Sequence, residues 1–171
     1  MTLIEKINHI VPRKIISASI SGALFAVLLG LFVPSPFGNE INSIKDYLWR
    51  FTTSVPFYLI YSFPVIFVYG TITSILSDFL SRLISRNKMN KFKPTISAVF
   101  HLLFGSILKW VSLSAAILYF VTDRYLLKRK DRYKWIHAFK SLAIPLLIWI
   151  VFMGIIWIVD FFKDGGNYIV Y

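Results

Sequence analysis

The stretch TISAVFHLLFGSILKWVSLSAAILYFVT, residues 95–122, decides how this chain folds. It runs 28 residues with a single charged side chain, Lys109, at its centre. As one α-helix it is about 42 Å long, ample for one tilted crossing of a bilayer core roughly 30 Å thick and too short for two. As a hairpin broken near Gly105-Ser106 it enters and leaves on the same side, and its backbone must then be buried in protein or line a wet cavity. Three other apolar segments offer little protein for that burial. Between Ala98 and Leu118 there are 11 Leu, Ile, Phe or Val residues. On an insertion scale they contribute about −3 to −7 kcal/mol, against about +2.5 to +3.5 for a central Lys. A single crossing over 97–121 is the expectation.

Outward from this stretch the chain keeps the same character. Of 171 residues, 57% are hydrophobic, 18% aromatic and only 16% charged, and the mean hydropathy is +0.67. A soluble domain needs more polar surface than that, and a disordered chain far fewer apolar residues. The class is an integral membrane protein, read as one domain over 1–171. Three further apolar runs lie at about 15–33, 55–76 and 141–159. The first follows Lys6, Arg13 and Lys14 as a signal peptide would. It is long for one, however, and Pro34-Ser35-Pro36 is no cleavage site, so it is read as a retained span. Pro56 and Pro64 fall inside the second and predict a kink or local unwinding. Asn42 and Ser43 before Asp46 signal a helix start.

After the second run, Ile75, Leu76, Phe79, Leu80, Leu83 and Ile84 recur at helical spacing, while Ser77, Asp78, Ser81, Arg82, Ser85 and Arg86 take the opposite face. That pattern predicts a juxtamembrane amphipathic helix lying along the membrane surface. The expected fold is therefore all-α, a polytopic membrane protein with four transmembrane helices and this surface helix.

The chain holds 19 Lys and Arg against 8 acids. The cations flank apolar runs instead of forming an aromatic-interleaved patch, which suits anionic lipid headgroups and argues against nucleic acid. With four crossings, nine Lys or Arg fall on each side, and the positive-inside rule makes no choice. With a re-entrant third segment the split is fifteen against three. The membrane expected is the plasma membrane.

Two constellations stand out. Ala18, Gly22, Ala26 and Gly30 repeat at every fourth position, a helix-packing face for a neighbour in the same chain or for a second copy. Ser97, His101, Gly105, Lys109, Ser112 and Ala116 share one side of the third segment. His101, Lys109 and Ser112 make it a candidate intramembrane polar site, because ionisable groups at bilayer depth are rare and default to function. The bland reading is that Lys109 snorkels or pairs with a carboxylate, Asp78 or Asp160 by chemistry. Catalytic and cofactor chemistry is not signalled. There is no cysteine, and His9, His101 and His137 are scattered. The only Glu residues, Glu5 and Glu40, lie outside the apolar runs, and no nucleophile elbow, zinc-binding HExxH, P-loop or dinucleotide fingerprint is present.

The strings Tyr69-Gly70, Ser74-Ile75-Leu76-Ser77-Asp78, His101-Leu102-Leu103-Phe104-Gly105 and Asp123-Arg124 give residues 55 to 125 a look that resembles small, uncharacterised multi-pass membrane proteins of Bacillus-like bacteria. The resemblance implies a four-helix plasma-membrane protein and carries over no catalytic residue. The functional expectation is a non-catalytic accessory, interaction or immunity-type component, with a homo-oligomer or another membrane protein as partner. The rival is a small transporter using the polar face around Lys109 and His101.

Overall fold

The computed structural model describes residues 3–38, 40–85, 92–106, 109–129 and 133–163, with the backbone alone at residues 3–9, Lys93, Lys109 and Trp110. The described residues form helices joined by short links, and no strand occurs among them. Helix α1 spans Leu3–Phe32. Helix α2 (Ile44–Val65) runs through a π-helical turn, Ile66–Gly70, into α3 (Thr71–Ile84). Then come α4 (Lys93–Ser106), α5 (Lys109–Lys128), the short α6 (Trp135–Ser141) and α7 (Ala143–Lys163). Among the described residues, three stretches are long and apolar enough to cross a membrane: Ile10–Phe32, Ile44–Ile84 and Trp135–Lys163.

Helix α1 is the hub, touching α2, α5, α6, α7 and α3. Its composition explains why. Ser17, Ala18, Ser19, Ser21, Ala23 and Ala26 are all buried, so neighbours approach on every side. The serines do not leave bare hydroxyls behind. Ser17 donates to the Arg13 carbonyl and Ser19 to the Ile15 carbonyl, one turn back. The four-residue packing face is occupied by α2 of the same chain. A Cβ on Gly22 would lie 2.8 Å from the Phe63 ring, and one on Gly30 would lie 2.7 Å from Val55.

Ser43 caps α2 by accepting from the Asp46 N–H at 3.1 Å, and Arg50 pairs with Asp46 one turn on at 2.8 Å. The link from α1 turns at Gly38, whose φ of +75° suits a residue without Cβ. Pro56 and Pro64 both sit inside α2, and the π turn follows the second at once. The predicted unwinding is therefore one wide turn in an otherwise continuous helix.

Two sequence expectations change here. The stretch 97–121 is not one rod. Helices α4 and α5 fold back on each other, with Gly105 directly against Ala116 and the His101 ring 5.4 Å from the Tyr119 ring. Along a single helix those rings would stand about 27 Å apart. The burial that seemed scarce is supplied by α1, whose small residues let α5 lie close, and by α3, which packs along α4.

The second change concerns the amphipathic segment, whose serines and apolar residues separate to two sides while Arg82 is exposed with the apolar ones, and whose surroundings are reversed. Its polar face (Thr73, Ser74, Ser77, Ser81) is buried in protein, while Ile75, Leu76, Phe79, Leu83 and Ile84 are exposed. Arg86 lies outside the described residues. This inside-out arrangement recurs in α7, whose most apolar window has a mean hydropathy of 2.8 yet is only 6% buried. Apolar surface turned outward on such a scale belongs in hydrocarbon.

Candidate functional site

At the end of the bundle where α1, α4 and α7 begin and α3 and α5 finish, five charged side chains meet. Arg13 and Lys14 enter from α1, Asp78 from α3, and Asp123 and Arg124 from α5. Lys14 is at the centre and wholly buried. Its ammonium donates to Asp78 Oδ2 at 2.8 Å, Asp123 Oδ2 at 2.8 Å and Ser74 Oγ at 2.6 Å. An ammonium has three N–H donors, and all three are used.

The remaining carboxylate oxygens are also held. Asp78 Oδ1 accepts from the Arg124 guanidinium at 2.8 Å and from the Ser97 hydroxyl of α4 at 2.7 Å. Asp123 Oδ1 faces Arg13 Nε at 3.2 Å and the Ser17 hydroxyl at 3.4 Å. The Arg124 guanidinium further donates to Ser97 Oγ at 2.6 Å and lies over the Phe120 ring at 4.8 Å. Tyr119 closes the top, its hydroxyl donating to the Lys14 carbonyl at 3.0 Å. Taking an ion out of water costs several kcal/mol, which only close pairing and full hydrogen bonding offset. Lys14 and its two aspartates meet that condition, while Arg13 Nε and Arg124 Nε are buried with no hydrogen-bond partner among the described residues. The cluster ties four helices together.

The sequence-derived polar site is divided by the structure. His101 and Ser112 line one small cavity, together with Tyr69, Gly70, Thr73 and Tyr119. His101 is buried to 2% exposure, and neither ring nitrogen has a hydrogen-bond partner among the described residues. Lys109 is the first residue of α5, so its backbone stands at the hairpin tip and not mid-helix. Its side chain lies outside the described residues. Asp160, once a possible partner for it, is exposed on α7.

The sequence offers Asp78 as a polar-face residue of the amphipathic segment and as a partner for Lys109, and offers Arg13 and Lys14 as the basic flank of the first span; it does not bring the three together. One signal pointed the other way. Ser74, Ser77 and Ser81 share a helix face with Asp78, and a serine face inside an apolar chain must turn toward protein.

No protein-family model, no curated protein and no solved structure matches this chain.

Proposed function

We propose that this chain is a multi-pass plasma-membrane protein of the accessory or immunity type, acting by contact and not by catalysis. The supporting observation is the saturation of Lys14: every donor of its ammonium and every oxygen of its two aspartates is already engaged within the chain. A group that exchanges ions or protons keeps capacity free, whereas Lys14, Asp78 and Asp123 are engaged in holding α1, α3, α4 and α5 in one arrangement. What remains available to a partner is the outer surface, above all the little-buried α7.

The topology that fits is three crossings with the α4–α5 hairpin entering and leaving on the basic side. The fifteen-to-three division of Lys and Arg then supports a cytoplasmic basic end. It also lowers the cost of Lys109. Helix α5, with its 20 residues, reaches about 30 Å from the basic end, which carries its first residue toward the opposite interface.

The test is photo-crosslinking in living cells from Leu147, Val151 and Ile158, exposed positions on α7. A discrete protein adduct from these positions, retained in Lys109→Leu, is expected. Adducts to lipid alone would overturn the reading. A small transporter is the second reading, favoured by the His101 cavity. It requires flux in vesicles that Lys109→Leu or His101→Phe abolishes.

A further inference from the structure

We propose that the cavity beside His101 is a hydration site, holding about two ordered waters that hydrogen-bond the imidazole inside the bundle. The cavity is partly open and measures about 30 Å³, room for about two waters. It sits at the crossing of α4, α5 and the π turn Ile66–Gly70. Three local features open it. The π turn is wider than an α turn, and such turns recur at functional sites. Gly70 has no Cβ, and one there would lie 3.2 Å from the Tyr119 ring. Gly105 meets Ala116 without a side chain of its own.

The lining selects the occupant. Much of the lining is apolar, from Val65, Ile66, Ala115 and Ala116; its polar members besides His101 are Tyr69, Thr73, Ser112 and Tyr119. Three of these have already given their protons away: Tyr69 to the Phe104 carbonyl at 2.8 Å, Thr73 to the Tyr69 carbonyl at 2.8 Å and Tyr119 to the Lys14 carbonyl at 3.0 Å. Their oxygens remain as acceptors. His101 offers one N–H and one bare nitrogen when neutral, and the Ala116 backbone approaches the ring without completing a hydrogen bond to it. The occupant must therefore both donate and accept. The neighbouring cluster of Arg13, Lys14 and Arg124 against Asp78 and Asp123 carries a surplus positive charge, which disfavours a cation. An anion finds too few free donors. Water fits on size, charge and hydrogen bonding, and buried waters of this kind bind polar groups that lack protein partners. The proposal is independent of the accessory role.

The experiment is water-edited solid-state NMR on the full chain in lipid vesicles, with isotope-labelled histidine and alanine. The His9 and His137 signals are identified by His9→Gln and His137→Gln. The His101 ring nitrogens are expected to take up water magnetisation as fast as the exposed His137 ring, while the buried Ala18 and Ala26 amides lag. Uptake at His101 as slow as at Ala18 would mean a dry cavity and would overturn the proposal. In Ser112→Leu, whose side chain fills the space, the fast uptake should be lost. Fast uptake persisting in that variant, with the helical spectrum intact, would also overturn it. Should Ser112→Leu not fold, the wild-type comparison with Ala18 decides alone.

Discussion

Replacing Lys14 by Met removes the ammonium that Asp78 and Asp123 share at 2.8 Å each, leaving two carboxylates with fewer partners in the interior. Breaking a buried pair from one side costs about 3–5 kcal/mol. The melting midpoint of the purified protein in detergent should fall accordingly. Arg50→Met is the control, because its pair with Asp46 is partly exposed and is worth about 0–1 kcal/mol. Equal shifts for the two variants would contradict a cluster that holds the bundle. Removing the opposing charge as well, in Lys14→Met with Asp123→Leu, should recover part of the loss, since apolar replacement of a whole buried pair is often tolerated. The cluster was only half legible in the sequence, for a physical reason. Helical spacing reports which residues share a face, so the grouping of Ser77, Asp78 and Ser81 was visible. It does not report what covers that face. The Lys14–Asp123 contact joins residues 109 positions apart, and no local pattern encodes it. The sequence pairs His101 and Ser112 as one face of a single helix; the structure places them on α4 and α5, where they line one cavity by the fold-back instead.

The same limit governs the hairpin of α4 and α5. Its apolar character and its weak point at Gly105-Ser106 were readable. The choice between one rod and two helices was not, because insertion energies favour placing the stretch in the bilayer without saying whether it bends there, and the deciding term is packing against α1 and α3. Two measurements address the geometry directly. The chain contains no cysteine, so His101→Cys with Phe120→Cys gives a clean pair. The native rings stand 6.1 Å apart, whereas a continuous helix would separate the two positions by about 28 Å. A short bismaleimide should therefore link them within one chain, seen as a mass increase of one linker without dimer. Failure to link, with both thiols shown to be reactive, would dismantle the hairpin. Gly105→Val adds atoms where Ala116 already sits. Overpacking of this kind costs about 1–3 kcal/mol, and it should lower the melting midpoint more than Gly154→Val, where nothing stands within 4 Å of an added Cβ.

For the molecule as a whole, the inside-out distribution of side chains and the distribution of charge lead to one prediction. Both ends of the bundle are marked. At one, Arg13, Lys14, Asp78, Asp123 and Arg124 lock α1, α3 and α5 together. At the other, the Lys163 ammonium at the end of α7 stands 4.0 Å over the Trp49 ring near the start of α2, which fixes α7 antiparallel to α2. The path is then up through α1, down through α2 and α3, in and out along α4 and α5, and up through α7. The last turns of α3 and α5 lie at the same end as Arg13 and Lys14 of α1. Reporter fusions after Lys88 and after Arg132 should accordingly both report the cytoplasm, and one after Asn42 the outside. Fusions at Lys88 and Arg132 reporting opposite sides would mean that 97–121 crosses as one span after all. In that case the contacts of Tyr119 with Lys14 and of His101 with Tyr119 could not coexist, because a rod crossing the membrane cannot bring its two halves to the same helix face. The reporter result thus tests the ion cluster, the His101 cavity and the charge asymmetry together, since all three depend on the chain doubling back between α4 and α5.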